Sequence, residues 1–208
     1  MMKVVATIEA RMTSSRLPGK PLLLANNITM LGHLVSRLKT VNYINEIVLA
    51  TTTNSQDQAL VEEAEKIGIS VYRGDEENVM LRIIEAGNFS QADIIVEITG
   101  DCPIIDPAIV QESIEIYLNN NFDYVSNATI RSFPDGMDTQ VFSLDTLKKS
   151  YSMTTSRLDY EHVTLHIRNN AKIFSHFDME APKTLFWPEL GLTLDEGQDY
   201  ILLKNIIE

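Results

Sequence analysis

The first hundred residues switch between two hydrophobic periods. Residues 3–8 form a short apolar run of strand type, while Met30, Leu31, Leu34, Val35 and Leu38 recur at helical spacing after Thr29. Residues 46–51 are again rich in β-branched side chains. Residues 55–67 place Leu60, Val61, Ala64 and Ile67 on one helical face, and Gly68 closes that helix. A short strand over 70–72, a helix over 76–86 carrying Val79, Met80, Ile83 and Ile84, and a strand over 93–98 follow.

The pattern continues in the second half. A helix is predicted from Pro107 to about Leu118, broken by Asn119, Asn120 and Asn121. Strands are predicted at 122–126 and 137–142, separated by a loop over 128–138 with a turn at Pro134-Asp135-Gly136. Helical segments at 144–151 and 160–169, a strand at 172–177, and a strand–helix pair at 190–194 and 198–207 complete the chain. Strands separated by helices of about ten residues imply parallel βαβ units with helices on both faces of the sheet. Such sheets bind ligands at the carboxyl ends of their strands. The loops 9–20 and 99–106 both follow predicted strands and meet if those strands are neighbours. No repeat, low-complexity tract or linker divides residues 1–208, so a single domain is expected.

Composition narrows the function. The 208 residues carry 29 carboxylates against 17 basic groups, a net charge of −12, which argues against nucleic acid or anionic membrane as partner. No run approaches the roughly 18–20 apolar residues of a membrane span. The N-terminal segment meets Glu9 too soon for a signal peptide. The single cysteine, Cys102, cannot form an internal disulfide, which fits a reducing cytoplasm. Between Asp101 and Pro103 it is expected to be structural.

Against that acidic background the loop after the first strand stands out. Arg11 and Arg16 offer bidentate contacts to phosphate oxygens, Lys20 a point charge, and Ser14, Ser15 and the loop amides further donors. A solvated loop whose arginines pair with carboxylates is the alternative. The segment is not a Walker A loop, because GxxxxGK[ST] is absent and Pro21 follows Lys20. The second motif is Thr99-Gly100-Asp101-Cys102-Pro103-Ile104-Ile105-Asp106-Pro107. Asp101, at a strand end in a Gly/Pro-shaped turn, is placed to hold a divalent cation between phosphates, whereas Asp106 before Pro107 reads as a helix cap. In the third motif, Thr193–Asp199, Asp195 is either a second metal carboxylate or the cap of the last helix.

The segments IxARMxSxRLPGK (8–20), TxxxSxD from Thr51, YRGDEENV (72–79), ITGDCPIIDP (98–107), FDYVSN (122–127), SFPDGMD (132–138), EHVT (161–164) and TLDEGQD (193–199) occur in this order. Together they resemble the spore-coat polysaccharide biosynthesis protein F family, which is similar to the CMP-sialate and CMP-Kdo synthetases. The resemblance implies a three-layer α/β/α nucleotidyltransferase fold, GT-A-like with a Rossmann-like, mostly parallel sheet. A small dimerisation extension on the acceptor side would occupy about 128–180. It implies a Mg²⁺-dependent reaction in which an acidic sugar attacks the α-phosphate of CTP and pyrophosphate leaves. A cytoplasmic homodimer acting in surface polysaccharide biosynthesis is the expected setting.

By motif, Arg11, Arg16 and Lys20, with Ser14 and Ser15, would bind the triphosphate. Asp101 and Asp195 would hold the metal, and Arg11, Lys20 and Asp101 would be catalytic. Arg73 and Gly74, with the backbone near Ala10, would frame the base. Pro134, Asp135, Glu161 and His162 would face the sugar. Four positions depart from the family pattern: Glu9 replaces the usual glutamine, Thr13 a glycine, Gln140 a glutamate, and Tyr160 an arginine. They bear on the acceptor more than on the nucleotide. Two other readings are a GT-A-type glycosyltransferase, which would want an Asp-x-Asp pair absent around Asp101, and a nucleotide-binding module without turnover.

Overall fold

The computed structural model describes residues 2–208. Strand β1 (Val4–Glu9) is buried along nearly its whole length and pairs in parallel on both edges. Its neighbours are β4 (Glu46–Thr52) and β6 (Ile94–Thr99). Strands buried on both faces read as continuous apolar runs, which is why the central strands were legible in the sequence. The full sheet adds β5 (Ser70–Gly74) beyond β4 and, beyond β6, β8 (Gln140–Ser143), β7 (Tyr124–Ser126) and β9 (His176–Asp178). The order is β5-β4-β1-β6-β8-β7-β9, with β8 antiparallel to both of its neighbours. A two-stranded hairpin, β2 (Leu24–Ala25) and β3 (Ile28–Thr29), turns through Asn26 and Asn27, whose φ values are 48° and 60°. Two consecutive left-handed asparagines suit the tight twist of a two-residue hairpin.

Alternate residues of the strands feed two cores. Ala6, Ile8 and Leu49 pack against α1 (Met30–Leu38), α2 (Gln58–Ile67) and α4 (Pro107–Asn119). Val5, Val48 and Ile95 pack on the opposite face against α3 (Val79–Phe89) and α5 (Leu144–Met153). Layers of helix, sheet and helix result, as expected. Leu31, Leu34 and Leu38 of α1 are fully buried, each contributing about 2 kcal/mol of transfer free energy.

Local chemistry sets the ends. Thr29 Oγ1 accepts the Gly32 amide at 2.9 Å and opens α1, and Gly68, at φ 69°, closes α2. Helix α3 begins three residues later than the apolar spacing predicts. Asp75 Oδ1 takes the amides of Glu77 and Asn78, each at 2.8 Å, in a turn, and Asn78 then caps the helix through the Leu81 amide at 3.0 Å.

Three expected elements are corrected. Residues 160–169 form not one helix but two, α6 (Arg157–Glu161) and α7 (Leu165–Asn169), interrupted at His162. The strand expected at 172–177 begins only at His176. Residues 190–194 form no strand: a single bridge joins Asp135 to Gly191, and the segment continues into α8 (Gly197–Ile207). Its apolar run reflects burial of Leu194 in a third, smaller core with Phe133 and Met137, not sheet pairing. The 128–180 segment, expected as an extension, contributes β8 and β9 to the main sheet.

The pairing that matters most for function is β1 with β6, in register from Val4–Ile94 to Glu9–Thr99. Beyond it the Gly100 amide donates to the Glu9 carbonyl at 2.9 Å. A Cβ on Gly100 would stand 2.6 Å from that oxygen and 2.9 Å from the Ala10 Cβ. Gly100→Ala is therefore expected to lower the unfolding free energy by about 1–3 kcal/mol through overpacking. The check is the urea midpoint, and an unchanged midpoint would show that the two strand ends separate without cost.

Candidate active site

The two loops that follow β1 and β6 lie side by side at the C-terminal ends of these strands. The first is shaped from within. Gly19 adopts φ 74° and donates to the Met12 carbonyl at 2.9 Å, closing residues 12–19 into a loop. Asp57, fully buried at the end of a 3₁₀ turn, accepts the Met12 amide at 2.7 Å and both the amide and hydroxyl of Thr52. The loop is thereby fastened to the end of β4. A new 3₁₀ turn, Lys20–Leu22, starts at Lys20 and accommodates Pro21.

Lys20 is the meeting point of three segments. Its Nζ lies 3.1 Å from Asp101 Oδ2 and 3.0 Å from Asp195 Oδ1, and Arg16 Nη2 reaches the same Asp195 oxygen at 2.8 Å. Asp195 arrives by its backbone, since the Leu194 amide donates to the Asp101 carbonyl at 2.8 Å. The competing role of Asp195 as a helix cap falls to its neighbours: Glu196 and Asp199 form a reciprocal capping box, and Asp199 Oδ2 takes the Asp195 amide at 3.0 Å. The Asp195 carboxylate is left for the cations. Asp106 does cap α4, accepting the Ala108 amide at 2.8 Å.

Beside this cluster opens a cavity of about 420 Å³. Its walls include Glu9, Ala10, Arg11, Ser14, Lys20 and Asp101, the Asp75–Val79 turn, Arg82, Thr99 and Gly100, and at the mouth Arg157, Tyr160 and Glu161. Arg11 Nη1 lies 3.3 Å from Glu76 Oε1, which also accepts from Thr13 Oγ1 at 3.1 Å, while Asn54 donates to the other oxygen at 2.7 Å. Chiefly through the Asn54 and Thr13 hydrogen bonds, the Glu76 carboxyl is held below its ordinary pKa.

The other expected residues sit as follows. Ser15 is exposed on the loop. Arg73 is tied down, donating to the Thr52 and Asn54 carbonyls at 2.8 and 2.7 Å, and with Gly74 it stands at the end of β5 outside the cavity lining. Pro134 lines a separate hollow with Phe133, Met137 and Trp187. Asp135 pairs with Arg131 at 3.0 Å, and exposed His162 marks the end of α6. Cys102 is buried, and burial pushes its thiol well up, which leaves it structural. Glu161 is thus the one residue of the expected sugar-side set that joins the cavity.

Two side chains went unread in the sequence. Arg82 is only 3% exposed, and it donates to the carbonyls of Ala50 at 3.2 Å, Glu76 at 3.3 Å and Asp75. A lone cation within the apolar run of α3 was the available signal. Glu97, buried in β6, lies against the Glu9 carboxyl and accepts from Gln140 Nε2. Glu9 and Gln140 thus meet through Glu97. Burial foremost, then the facing Glu97 charge, holds Glu9 well above the ordinary carboxylate range; burial likewise raises Glu97 to about 7.

A mostly parallel sheet carries at its strand ends a cationic loop and Asp101, with Asp195 brought to them from the segment before α8, an arrangement suited to a nucleotide phosphate. Residues 5–193 match the cytidylyltransferase family, and the chain belongs to it. It is 30% identical to the spore coat polysaccharide biosynthesis protein SpsF of Bacillus subtilis, over all of this chain and 88% of that protein. Among solved structures, a cytidylyltransferase from Leptospira borgpetersenii superposes with a TM-score of 0.93 at 35% identity, covering 98% of this chain and 86% of that one. A CMP:2-keto-3-deoxy-manno-octonic acid synthetase complexed with CTP shares the fold, with a TM-score of 0.73 at 20% identity and 98% coverage of each chain.

Arg82 ties the cavity's acidic turn to the sheet. Arg82→Met removes the donors to three carbonyls and is expected to cost about 3 kcal/mol or more in chemical denaturation. A loss under about 1 kcal/mol would show that water replaces the guanidinium freely.

Proposed function

We propose that this protein is a CTP-dependent nucleotidyltransferase that activates an acidic sugar, or a related acid, to its CMP derivative in surface polysaccharide biosynthesis. The observation that carries the reading is the convergence of Arg16, Lys20, Asp101 and Asp195 beside the cavity, in a chain of the cytidylyltransferase family. The relative named for spore coat polysaccharide biosynthesis supports the setting, and the CTP complex of a protein with the same fold supports the nucleotide.

In this reading Arg11, Arg16 and Lys20, with Ser14 and Ser15, bind the triphosphate. Ala10 frames the base from the cavity wall, and Arg73 and Gly74, outside the lining, belong to the base side by motif. An acceptor oxygen forms a bond to the α-phosphorus in line, while the bond from that phosphorus to the bridging oxygen breaks and its electron pair leaves with pyrophosphate. Little covalent chemistry falls to the protein, whose cations offset charge and hold the reactants aligned. Glu161 meets the acceptor at the mouth; Pro134, Asp135 and His162 belong to the sugar side by motif and would form its outer approach.

Asp101 and Asp195 contact one ammonium from two sides, so a single cation reaches both. Among the described residues no group of three or more His, Cys, Asp or Glu converges to hold a metal. Two carboxylates suit a magnesium ion that takes its remaining ligands from water and substrate phosphates, and they fit poorly to a metal caged by protein alone. When bound, such an ion would supply charge neutralisation across the phosphates. A cytoplasmic homodimer completes the reading; no helix among the described residues is long and apolar enough to cross a membrane.

Two measurements test the proposal. In a thermal-shift comparison of the four ribonucleoside triphosphates with magnesium, CTP is expected to raise the apparent Tm most, about 2.7 kcal/mol of stabilisation at a hundredfold excess over Kd. Pyrophosphate release from CTP is expected only with an eight- or nine-carbon acidic sugar or a related acid, and Asp101→Asn is expected to lower it by about 100-fold or more. No preference among nucleotides, or an indifferent Asp101→Asn, would remove this reading.

A further inference from the structure

Glu9 lines an anion-seeking cavity, yet no cation hydrogen-bonds its carboxyl. Its Oε1 is sealed from solvent without a hydrogen-bond partner, and the parallel register, Thr7 beside Glu97 and Glu9 beside Thr99, puts Glu9 and Glu97 on one face of the sheet as diagonal neighbours. Gln140 orients this pair. Its carbonyl oxygen receives the hydroxyls of Tyr124 from β7 and Thr164 from the start of α7, so its amide group points at Glu97 Oε2. That oxygen is then an acceptor, which confines any proton on Glu97 to the side facing Glu9.

The charges around the pair come from several elements. Arg82 of α3 acts on Glu9 from one side and Asp101, from the loop after β6, on the same residue through its charge alone. Arg168 of α7 and Asp138, just before β8, act on Glu97. Asp138 is itself pushed up to about 6, mainly by burial. Neither cation makes a hydrogen bond to the pair: Arg82 Nε and Nη1 donate to backbone carbonyls, and the buried Arg168 Nε has no hydrogen-bond partner. Two adjacent carboxylates, Glu97 buried and Glu9 half-buried with Oε1 sealed, cannot both ionise cheaply without a hydrogen-bonded cation.

We infer that Glu9, at the cavity wall, and the buried Glu97 behind it act as one acid that keeps a shared proton through neutral pH, and that losing this proton weakens anion binding in the cavity. The proton holds the wall to a single negative charge beside the phosphate-binding loop. Deprotonation adds a second, which repels a polyanion held by Arg11 and Lys20. By linkage the anion in turn favours the protonated pair, so binding near the transition takes up a fraction of a proton. The inference deepens the nucleotide reading but needs only that a polyphosphate enters the cavity.

The experiment uses the full chain, CTP, and inorganic tripolyphosphate as an anion without a base. Side-chain carboxyl resonances of Glu9 and Glu97, followed by NMR from about pH 5 to about pH 9, are expected to show the pair still holding one proton at pH 7. Calorimetric Kd values over the same range are compared with Glu9→Gln, whose profile carries only the titration of the ligand and the remaining groups. Relative to that variant, wild-type affinity is expected to fall above the pair's upper transition by up to about tenfold per pH unit, the limit set by one proton. Glu97→Gln, which keeps an acceptor for Gln140, is expected to flatten the profile as well. Two ionised carboxylates at pH 7, or parallel wild-type and Glu9→Gln profiles, overturn the inference. Tripolyphosphate binding with the expected profile but no gain from the cytosine base upholds it and removes the CTP reading. If neither anion binds at any pH, both fall.

Discussion

The parallel pairing of β1 with β6, closed by the Gly100 amide on the Glu9 carbonyl, decides where the candidate site sits. Two strands far apart in sequence run in the same direction and end together. Their following loops therefore have no choice but to share one edge of the sheet. The approach is so close that a side chain on Gly100 would collide with the backbone across from it. The cationic loop, Asp101, and the Asp195 segment bonded to the Asp101 carbonyl all take their places from that contact.

The electrostatics follow from the same crowding. In a chain with twelve more carboxylates than bases, the cations at and beside the cavity mostly have acidic partners: Lys20 and Arg16 with Asp195, Lys20 also with Asp101, and Arg11 with Glu76. Such pairs keep long side chains in place before a ligand arrives, which lowers the ordering cost of binding. An incoming polyanion competes with carboxylates instead of meeting bare cations, and a divalent ion beside Asp101 and Asp195 would offset the charge that Lys20 then shares with phosphate. The buried pair of Glu9 and Glu97 answers the same pressure differently, through a proton in place of a cation.

Most of the framework was legible because its signals are local. β1, α1, β4 and β6 lie within a residue or so of their periodicity, since their core-facing positions are buried along nearly their whole length, whereas α2 starts three residues later than its spacing predicts, after a 3₁₀ turn over Ser55–Asp57. The misreadings occur where an apolar run is buried by something other than a ladder or a long helix. Residues 190–194 pack into a small third core without strand partners, and 160–169 break at His162 although their spacing is helical. At the site, Arg11, Lys20 and Asp101 were visible as charges in turns after strands, Asp195 as a charge before the last helix although the strand expected ahead of it is absent, and Glu161 by motif alone. Arg82 and Glu97 were hidden, because a charged residue inside a predicted helix or strand carries no mark of whether it faces solvent or the site.

The sequence by itself therefore determined the alternating α/β architecture, the cationic loop and the carboxylates that complement it, because periodicity and turn chemistry act over a few neighbouring residues. Only the tertiary structure decided that Asp195 serves Lys20 and Arg16 while Asp199 caps the helix, that Arg73 and Pro134 stand back from the cavity, and that Glu9 meets Glu97 with Gln140 behind it. Those outcomes rest on strand order and burial, and the energy of a buried charge depends on which distant groups the fold brings within hydrogen-bond reach.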